Sequence, residues 1–150
     1  MYAREIKLSA LENKTQVCID YWTRGGLVAF GGSDGVIRVW SVKDWEVKNK
    51  LVGMPISTTA PASNASIAPA HTKAITGLFC YEVKKRVLIK INKKNVSAHI
   101  LVSAAADGKM CLWEVGTEFL KHNIKAHDGA VLCLTYNPFN FTLVTLGADK

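Results

Sequence analysis

The chain lacks several features that define common classes of protein. Its four cysteines, Cys18, Cys80, Cys111 and Cys133, form no C-x-x-C pair, so the usual zinc and redox spacings are missing, and we interpret all four as buried free thiols. No stretch reaches the ~18 apolar residues of a membrane span, and the start of the chain carries charge instead of a signal-peptide run. No segment sustains helical periodicity over several turns. These absences predict a β protein with no metal and no cofactor. We expect it to be intracellular and cytoplasmic, and a nuclear or ciliary location stays open.

Acidic residues are missing from one stretch in particular. The net charge is +7, and residues 83–99 contain no Asp or Glu while carrying a cluster of cations. This cluster has two readings: a solvated hairpin whose lysines protect exposed strand edges, or an anion-binding patch for RNA or anionic lipid. The stretch has no aromatic residue to stack on a base, which weakens the nucleic-acid reading. The cations are Lys84, Lys85, Arg86, Lys90, Lys93 and Lys94.

A repeated segment is the most informative feature that the chain does have. A short apolar strand runs into a small-residue turn ending on aspartate three times, as LVAFGGSDG, ILVSAAADG and LVTLGADK. The first two copies continue into strands that close on Trp40 and Trp113. Asp107 and Asp149 lie 42 positions apart, and one propeller blade spans roughly 40–45 residues. The spacing therefore indicates a repeat protein.

Apolar residues alternate or cluster in short runs bounded by Gly, Asp and Asn, which predicts an all-β chain of four-stranded antiparallel units. The predicted strands cover residues 2–8, 16–22, 27–30, 36–42, 47–52, 75–82, 97–103, 109–115, 118–124, 131–136 and 141–145.

The strand pattern divides the chain into four segments. Residues 1–53 form an N-terminal strand plus the first unit, and residues 54–70 form a Ser/Thr/Ala/Pro-rich flexible loop. Residues 71–125 form the second unit, and residues 126–150 a truncated third. The second unit contains about 14 more residues between its histidine and its turn aspartate than the third, which predicts a basic hairpin insertion at about 83–99.

The repeat resembles the WD-repeat β-propellers. In that family a Gly-His or similar pair opens each four-stranded blade and a Trp-Asp or similar pair ends its third strand. Here the opening pairs are Ala70-His71 and Ala126-His127, and the closing pairs are Trp40-Ser41 and Trp113-Glu114. The resemblance implies about two and a half blades of an incomplete ring. We expect a piece of a larger propeller protein, with an incomplete gene model or a self-assembling short chain as alternatives.

The resemblance also implies a structural hydrogen-bonded network within each blade, linking histidine, a Ser or Thr, the turn aspartate and the tryptophan. The positions are His71, Ser103, Asp107 and Trp113 in the second blade, His127, Thr145 and Asp149 in the third, and Asp34 and Trp40 in the first. The first blade has Phe30 at the Ser/Thr position and Glu12 or Asn13 where the histidine would fall, so we expect it to depend on packing instead. A His-Ser-Asp trio also suggests a hydrolase triad. No strand-to-helix elbow or oxyanion motif accompanies it, so we predict no catalytic residue and no enzyme.

The leading hypothesis for function is a non-catalytic scaffold that binds other proteins or peptides through loops at one face. Ser33, Lys73 and Asp128 are the predicted partner-binding residues. The alternative is an RNA- or anionic-lipid-binding module acting through the lysine-rich hairpin. A further alternative, from a loose resemblance in the first blade, is a WD-repeat component of cilia or flagella.

Overall fold

The structure is a computed structural model that describes residues 15–22, 25–55, 67–88, 93–115, 119–137, 139–140 and 142–149. All the regular structure in these ranges is β-strand. The strand expected at residues 2–8 and the cation Lys90 lie outside them. The strands are β1 Gln16–Trp22, β2 Leu27–Gly32, β3 Ile37–Ser41, β4 Val47–Leu51, β5 Gly53–Pro55, β6 Ile67–Pro69, β7 Ile75–Leu88, β8 Lys93–Ala105, β9 Lys109–Val115, β10 Phe119–Lys125, β11 Val131–Asn137 and β12 Thr142–Gly147.

Two four-stranded antiparallel sheets and one two-stranded sheet follow the three sequence repeats. The first sheet has the order β1-β2-β3-β4, the second β10-β9-β8-β7, and the third pairs β11 with β12. The Asp-Gly turns reverse the chain between the second and third strands, with Gly35 at φ 77° and Gly108 at φ 81°. The predicted all-β fold of four-stranded blades is confirmed, and the described residues do not close a ring.

The sheets pack side by side through their first strands. The Trp22 indole N–H on β1 donates to the carbonyl oxygens of Tyr81 and Ile100 in the second sheet, both at 3.2 Å. The Cys80 amide on β7 donates to the Asp20 carboxylate at 2.6 Å. Because successive side chains of a strand point to opposite faces, β7 packs against β1 of the first sheet on one face and against β11 of the third sheet on the other. This is the radial arrangement of propeller blades.

The core lies between the first and second sheets, where the apolar alternation of their strands converges. The core contains residues from both sheets, so each sheet buries its apolar side only against the other. Its largest buried members are Trp22, Ile37, Leu51, Ile75, Leu101 and Trp113.

Two segments of the chain have more strand than the sequence predicts. The short strands β5 and β6 pair at the two ends of the segment expected to be a loop, from Gly53↔Pro69 to Pro55↔Ile67, while residues 56–66 lie outside the described ranges. Strands β7 and β8 have 14 and 13 residues, compared with 7 and 6 for β1 and β2.

The extra length of β7 and β8 forms a two-stranded extension of the blade. The last β8–β9 pair is His99↔Val115, whereas β7 and β8 stay paired from Val83↔Ala98 to Leu88↔Lys93. We call residues 83–88 and 93–98 the basic ribbon.

The thiols do not all lie in the core. Cys111 is buried, Cys18 and Cys80 are half-buried, and Cys133 is exposed. The expectation of four buried thiols is therefore wrong for Cys133, because no described strand covers that side of β11. Among the residues that the structure describes, no helix is long and apolar enough to cross a membrane.

Candidate functional site

A chain of hydrogen bonds runs through the second sheet. The Trp113 indole N–H donates to Ser103 Oγ at 2.9 Å, and Ser103 Oγ lies 2.8 Å from His71 Nε2. Because an indole nitrogen only donates, the Ser103 oxygen accepts there; because the Asp107 carboxylate only accepts, the imidazole nitrogen facing it donates, and Nε2 accepts from the Ser103 hydroxyl. This assignment puts the imidazole proton on Nδ1, which faces Asp107 Oδ1 at 3.4 Å. The donor inventory thus selects one tautomer for His71.

Burial and hydrogen bonding set the charges in this chain. Burial lowers the pKa of His71, outweighing the attraction of the Asp107 carboxylate, so the imidazole is neutral at pH 7. Burial alone would raise the pKa of Asp107, but the backbone N–H groups of Thr72 and Lys109, at 2.8 and 3.0 Å, and His71 bring it below its usual value. The pair is therefore a hydrogen bond between a neutral imidazole and a carboxylate.

The third sheet repeats the same arrangement without a tryptophan. His127 Nδ1 lies 2.8 Å from Asp149 Oδ1, and His127 Nε2 lies 2.9 Å from Thr145 Oγ1. The Asp128 amide donates to Asp149 Oδ2 at 2.9 Å and, with His127, lowers the pKa of that carboxyl. Two repeats thus place histidine, hydroxyl and aspartate in the same geometry.

The first sheet departs from the network at the positions that the sequence indicates. Asp34 is held by Arg38, whose two terminal nitrogens lie 3.3 and 2.8 Å from the carboxylate oxygens. This pairing lowers the pKa of Asp34. The buried Trp40 indole N–H has no acceptor among the described residues, because Phe30 stands where Ser103 stands in the second sheet. Phe30 instead meets Trp40 edge to face at 6.3 Å between centroids.

Arg38 is a residue that the sequence reasoning missed. It is 1% exposed and lies within β3 between two fully buried apolar neighbours. The signal was an arginine inside the VIRVW run, four residues after an aspartate that lacked the expected histidine. A buried guanidinium needs a carboxylate close by, and Asp34 meets this need.

The three predicted partner-binding residues lie at the same end of the sheets. Ser33 is exposed in the β2–β3 turn, and Gly35 in that turn packs against the His71 and Lys73 carbonyls that open the second repeat. Gly108 packs in the same way against the segment around exposed Asp128. We call Ser33, Lys73 and Asp128 with their turns the loop rim.

The predicted anion-binding residues lie mainly on the basic ribbon. Lys84, Lys85 and Arg86 belong to β7 and are register-paired with Ser97, Val96 and Asn95. Lys93 and Lys94 belong to β8 and pair with Leu88 and Val87. The structure therefore brings five of the six cations onto one two-stranded element.

A groove beside the ribbon was not predicted from the sequence. It has a volume of about 450 Å³ and lies between β7 and the third sheet, lined by Phe79, Tyr81, Glu82, Tyr136 and Leu143. The Phe79 and Tyr136 rings stack with centroids 4.6 Å apart. These residues are far apart in sequence, and only the packing of two repeats places them together.

The chemistry of the described residues favours structure over catalysis. Ser103 is 0% exposed and His71 2% exposed, so neither group of the trio reaches a substrate. Within the ranges described above, no cluster of His, Cys, Asp or Glu is placed to hold a metal ion.

Comparisons with known proteins identify the repeat. The pattern of the WD domain, G-beta repeat family matches residues 7–41. The chain is 26% identical over 148 residues to the TSET complex member tstF of Dictyostelium discoideum, covering 98% of this chain and 10% of that protein. It is 26% identical over 84 residues to the WD-40 repeat-containing protein MSI3 of Arabidopsis thaliana, covering 55% of this chain and 20% of that protein.

The chain thus spans a tenth to a fifth of the length of these relatives. The family pattern, the four-stranded sheets and the repeated His-Ser/Thr-Asp geometry agree with one another. The chain is therefore similar to WD-repeat proteins over residues 7–41, and its four-stranded sheets have the form of β-propeller blades.

Proposed function

We propose that this chain is a non-catalytic WD-repeat scaffold that binds other proteins or peptides at the loop rim. The observation that carries the proposal is the burial of the His71-Ser103-Trp113 hydrogen bonds beneath exposed turns. The titratable groups hold the turns in place, and the turns present polar side chains to solvent. A rigid element that positions loops is a common way to build a binding surface.

The burial of Ser103 and His71 supports the non-catalytic part of the proposal. A serine that accepts from Trp113 and donates to His71 already uses its hydroxyl in two hydrogen bonds. Attack on a substrate would require breaking both inside a packed sheet.

The comparisons support a role in assemblies. One relative is by name a member of a complex, and the other is by name a WD-40 repeat protein. By analogy, we place this chain within a larger propeller protein that acts inside the cell, in the cytoplasm, as part of a protein assembly.

A rim variant tests the proposal. The chain carrying Ser33→Arg, Lys73→Glu and Asp128→Lys is compared with the wild type by affinity capture and mass spectrometry. A control carries Lys43→Glu, since Lys43 is exposed on the β3–β4 connection. We expect proteins retained by the wild type and the control to be lost from the rim variant, with all three chains equally stable. Equal capture by the rim variant would reject the loop rim as the binding surface.

A further inference from the structure

The groove between β7 and the third sheet is shaped for an apolar side chain. Phe79 and Tyr81 on β7 stack at 5.6 Å, Tyr136 covers Phe79, and Leu143 lies at the edge with 37% of its surface exposed. A groove of about 450 Å³ with aromatic walls is in the size range of sites that bind small ligands or single anchor residues. Its walls favour an aromatic or aliphatic group.

Positive charge lies along the same strand. The β7–β8 register is regular from Gly77 onward, so the two-residue strand period relates Tyr81 to Lys85, four residues further on. Lys94 is paired with Val87, which lies an even number of residues after Tyr81 and therefore shares its alternation. Lys84 and Arg86 have the opposite alternation. Lys85 and Lys94 are therefore two cationic register positions beyond the groove, and Glu82 is the one acidic residue in positions 81–99 of the sequence.

We infer that the groove and the basic ribbon together bind an acidic peptide segment of a partner protein that carries one aromatic or aliphatic anchor. The anchor enters the groove while the acidic residues lie along the cationic positions of the ribbon. The inference deepens the proposed scaffold function and rests on it, adding a second surface and the chemistry of its partner. Complementary charge sets the orientation and the rate of encounter, and the buried anchor slows dissociation.

Other anionic ligands fit this surface less well. Nucleic acid would need open ring faces for base stacking, and Tyr136 already covers Phe79. A bilayer surface has no single side chain that matches a groove of this size.

Defined peptides test the inference by fluorescence anisotropy. The probe is a fluorescein-labelled peptide of Asp and Glu residues around one central Phe. One control replaces Phe by Ser, and a second replaces every Asp and Glu by Asn and Gln. We expect the full probe to bind and each control to bind at least about tenfold more weakly. The first control lacks the anchor for the groove, and the second lacks the negative charge that attracts the ribbon. Binding that is equal for all three peptides would overturn the inference.

Matched protein variants locate the site. Lys85→Gln with Lys94→Gln removes two cations at register positions that share the alternation of Tyr81, and Lys84→Gln with Arg86→Gln removes two at positions of the opposite alternation. We expect the first pair to weaken probe binding at least about tenfold and the second less than about threefold. Leu143→Glu, at a partly exposed position, should abolish binding of the acidic probe by placing a like charge at the groove. Equal weakening of probe binding by the two pairs of substitutions, with no effect of Leu143→Glu, would contradict the site.

Two further measurements separate this inference from its competitors and from the proposed function. Tighter binding to polyuridylate, or to phosphatidylcholine vesicles containing phosphatidylserine, than to the peptide probe would replace the peptide by that ligand and overturn the inference. If the loop-rim variant loses its captured proteins while the peptide probe never binds, the scaffold proposal stands and the groove inference fails.

Discussion

At the residue scale, Trp40 and Trp113 occupy equivalent positions in two blades and differ in one hydrogen bond. Both are buried, at 2% and 1% exposure, but within the described part of the chain only the Trp113 indole N–H has an acceptor, Ser103 Oγ. We predict that Trp113→Phe lowers the free energy of unfolding by about 1 kcal/mol more than Trp40→Phe, since only the first breaks a buried hydrogen bond. Urea unfolding followed by circular dichroism measures both, and equal losses would contradict the assigned network.

The buried His71 gives the free energy of unfolding a dependence on pH. Its pKa is lowered in the folded state from the ordinary 6.5, so as pH falls below about 6.5 the unfolded chain takes up a proton that the folded chain refuses. The free energy of unfolding therefore falls with decreasing pH, by up to about 1.4 kcal/mol per pH unit from this group. Asp107 acts at lower pH. Because its pKa is lowered in the folded state, it stabilises the fold above about pH 3.8, and this contribution is lost as the pH falls further.

The test of this dependence is the slope of the free energy of unfolding between pH 7.5 and pH 5. We expect the slope to be smaller in His71→Asn than in the wild type, whatever the absolute stability of the variant. Wild-type and variant slopes that coincide would show that His71 binds its proton equally in both states.

At the scale of the element, the Asp-Gly turns link neighbouring blades. Gly35 has φ 77°, and a Cβ there would lie 2.9 Å from the His71 carbonyl oxygen. Gly26 has φ 61° but open space around it. We predict that Gly26→Ala costs about 1 kcal/mol from backbone strain alone, and that Gly35→Ala costs at least about 1 kcal/mol more, because the turn must also move off the next blade. Melting temperatures of the two variants decide the point, and equal shifts would mean that the turn does not pack as described.

The strands themselves were largely readable from the sequence, because alternation and turn residues are local signals. Strands β1 and β9 have the predicted bounds Gln16–Trp22 and Lys109–Val115. The all-β blade architecture is confirmed. The pairing of β5 with β6 was not readable, because three-residue strands next to prolines give almost no pattern.

The site was less readable, because it depends on contacts between elements. His71 and Ser103 could be named from the repeat, but the pairing of Arg38 with Asp34 replaces a residue type that the family pattern leads one to expect. The Phe79–Tyr136 stack joins positions in different repeats, so no local pattern indicates it. The partner-binding role of Ser33, Lys73 and Asp128 stays a prediction.

At the scale of the whole molecule, the blades are joined by a small number of specific contacts. The Trp22 indole N–H reaches two carbonyls of the second sheet, and Thr76 Oγ1 on β7 donates to the Val131 carbonyl of the third sheet at 2.6 Å. Gly77 lets Leu134 approach closely. In a repeat protein the interfaces between units carry much of the stability, so these contacts should unite the repeats into one folding unit.

Hydrogen exchange of the Trp22 indole N–H, followed by NMR, measures that union most directly. If the repeats are packed blades, this proton crosses from the first sheet to the second and should exchange as slowly as the Trp113 indole N–H inside the second sheet. Fast exchange of the Trp22 proton beside a protected Trp113 proton would show sheets that fold without packing together, and would contradict the account.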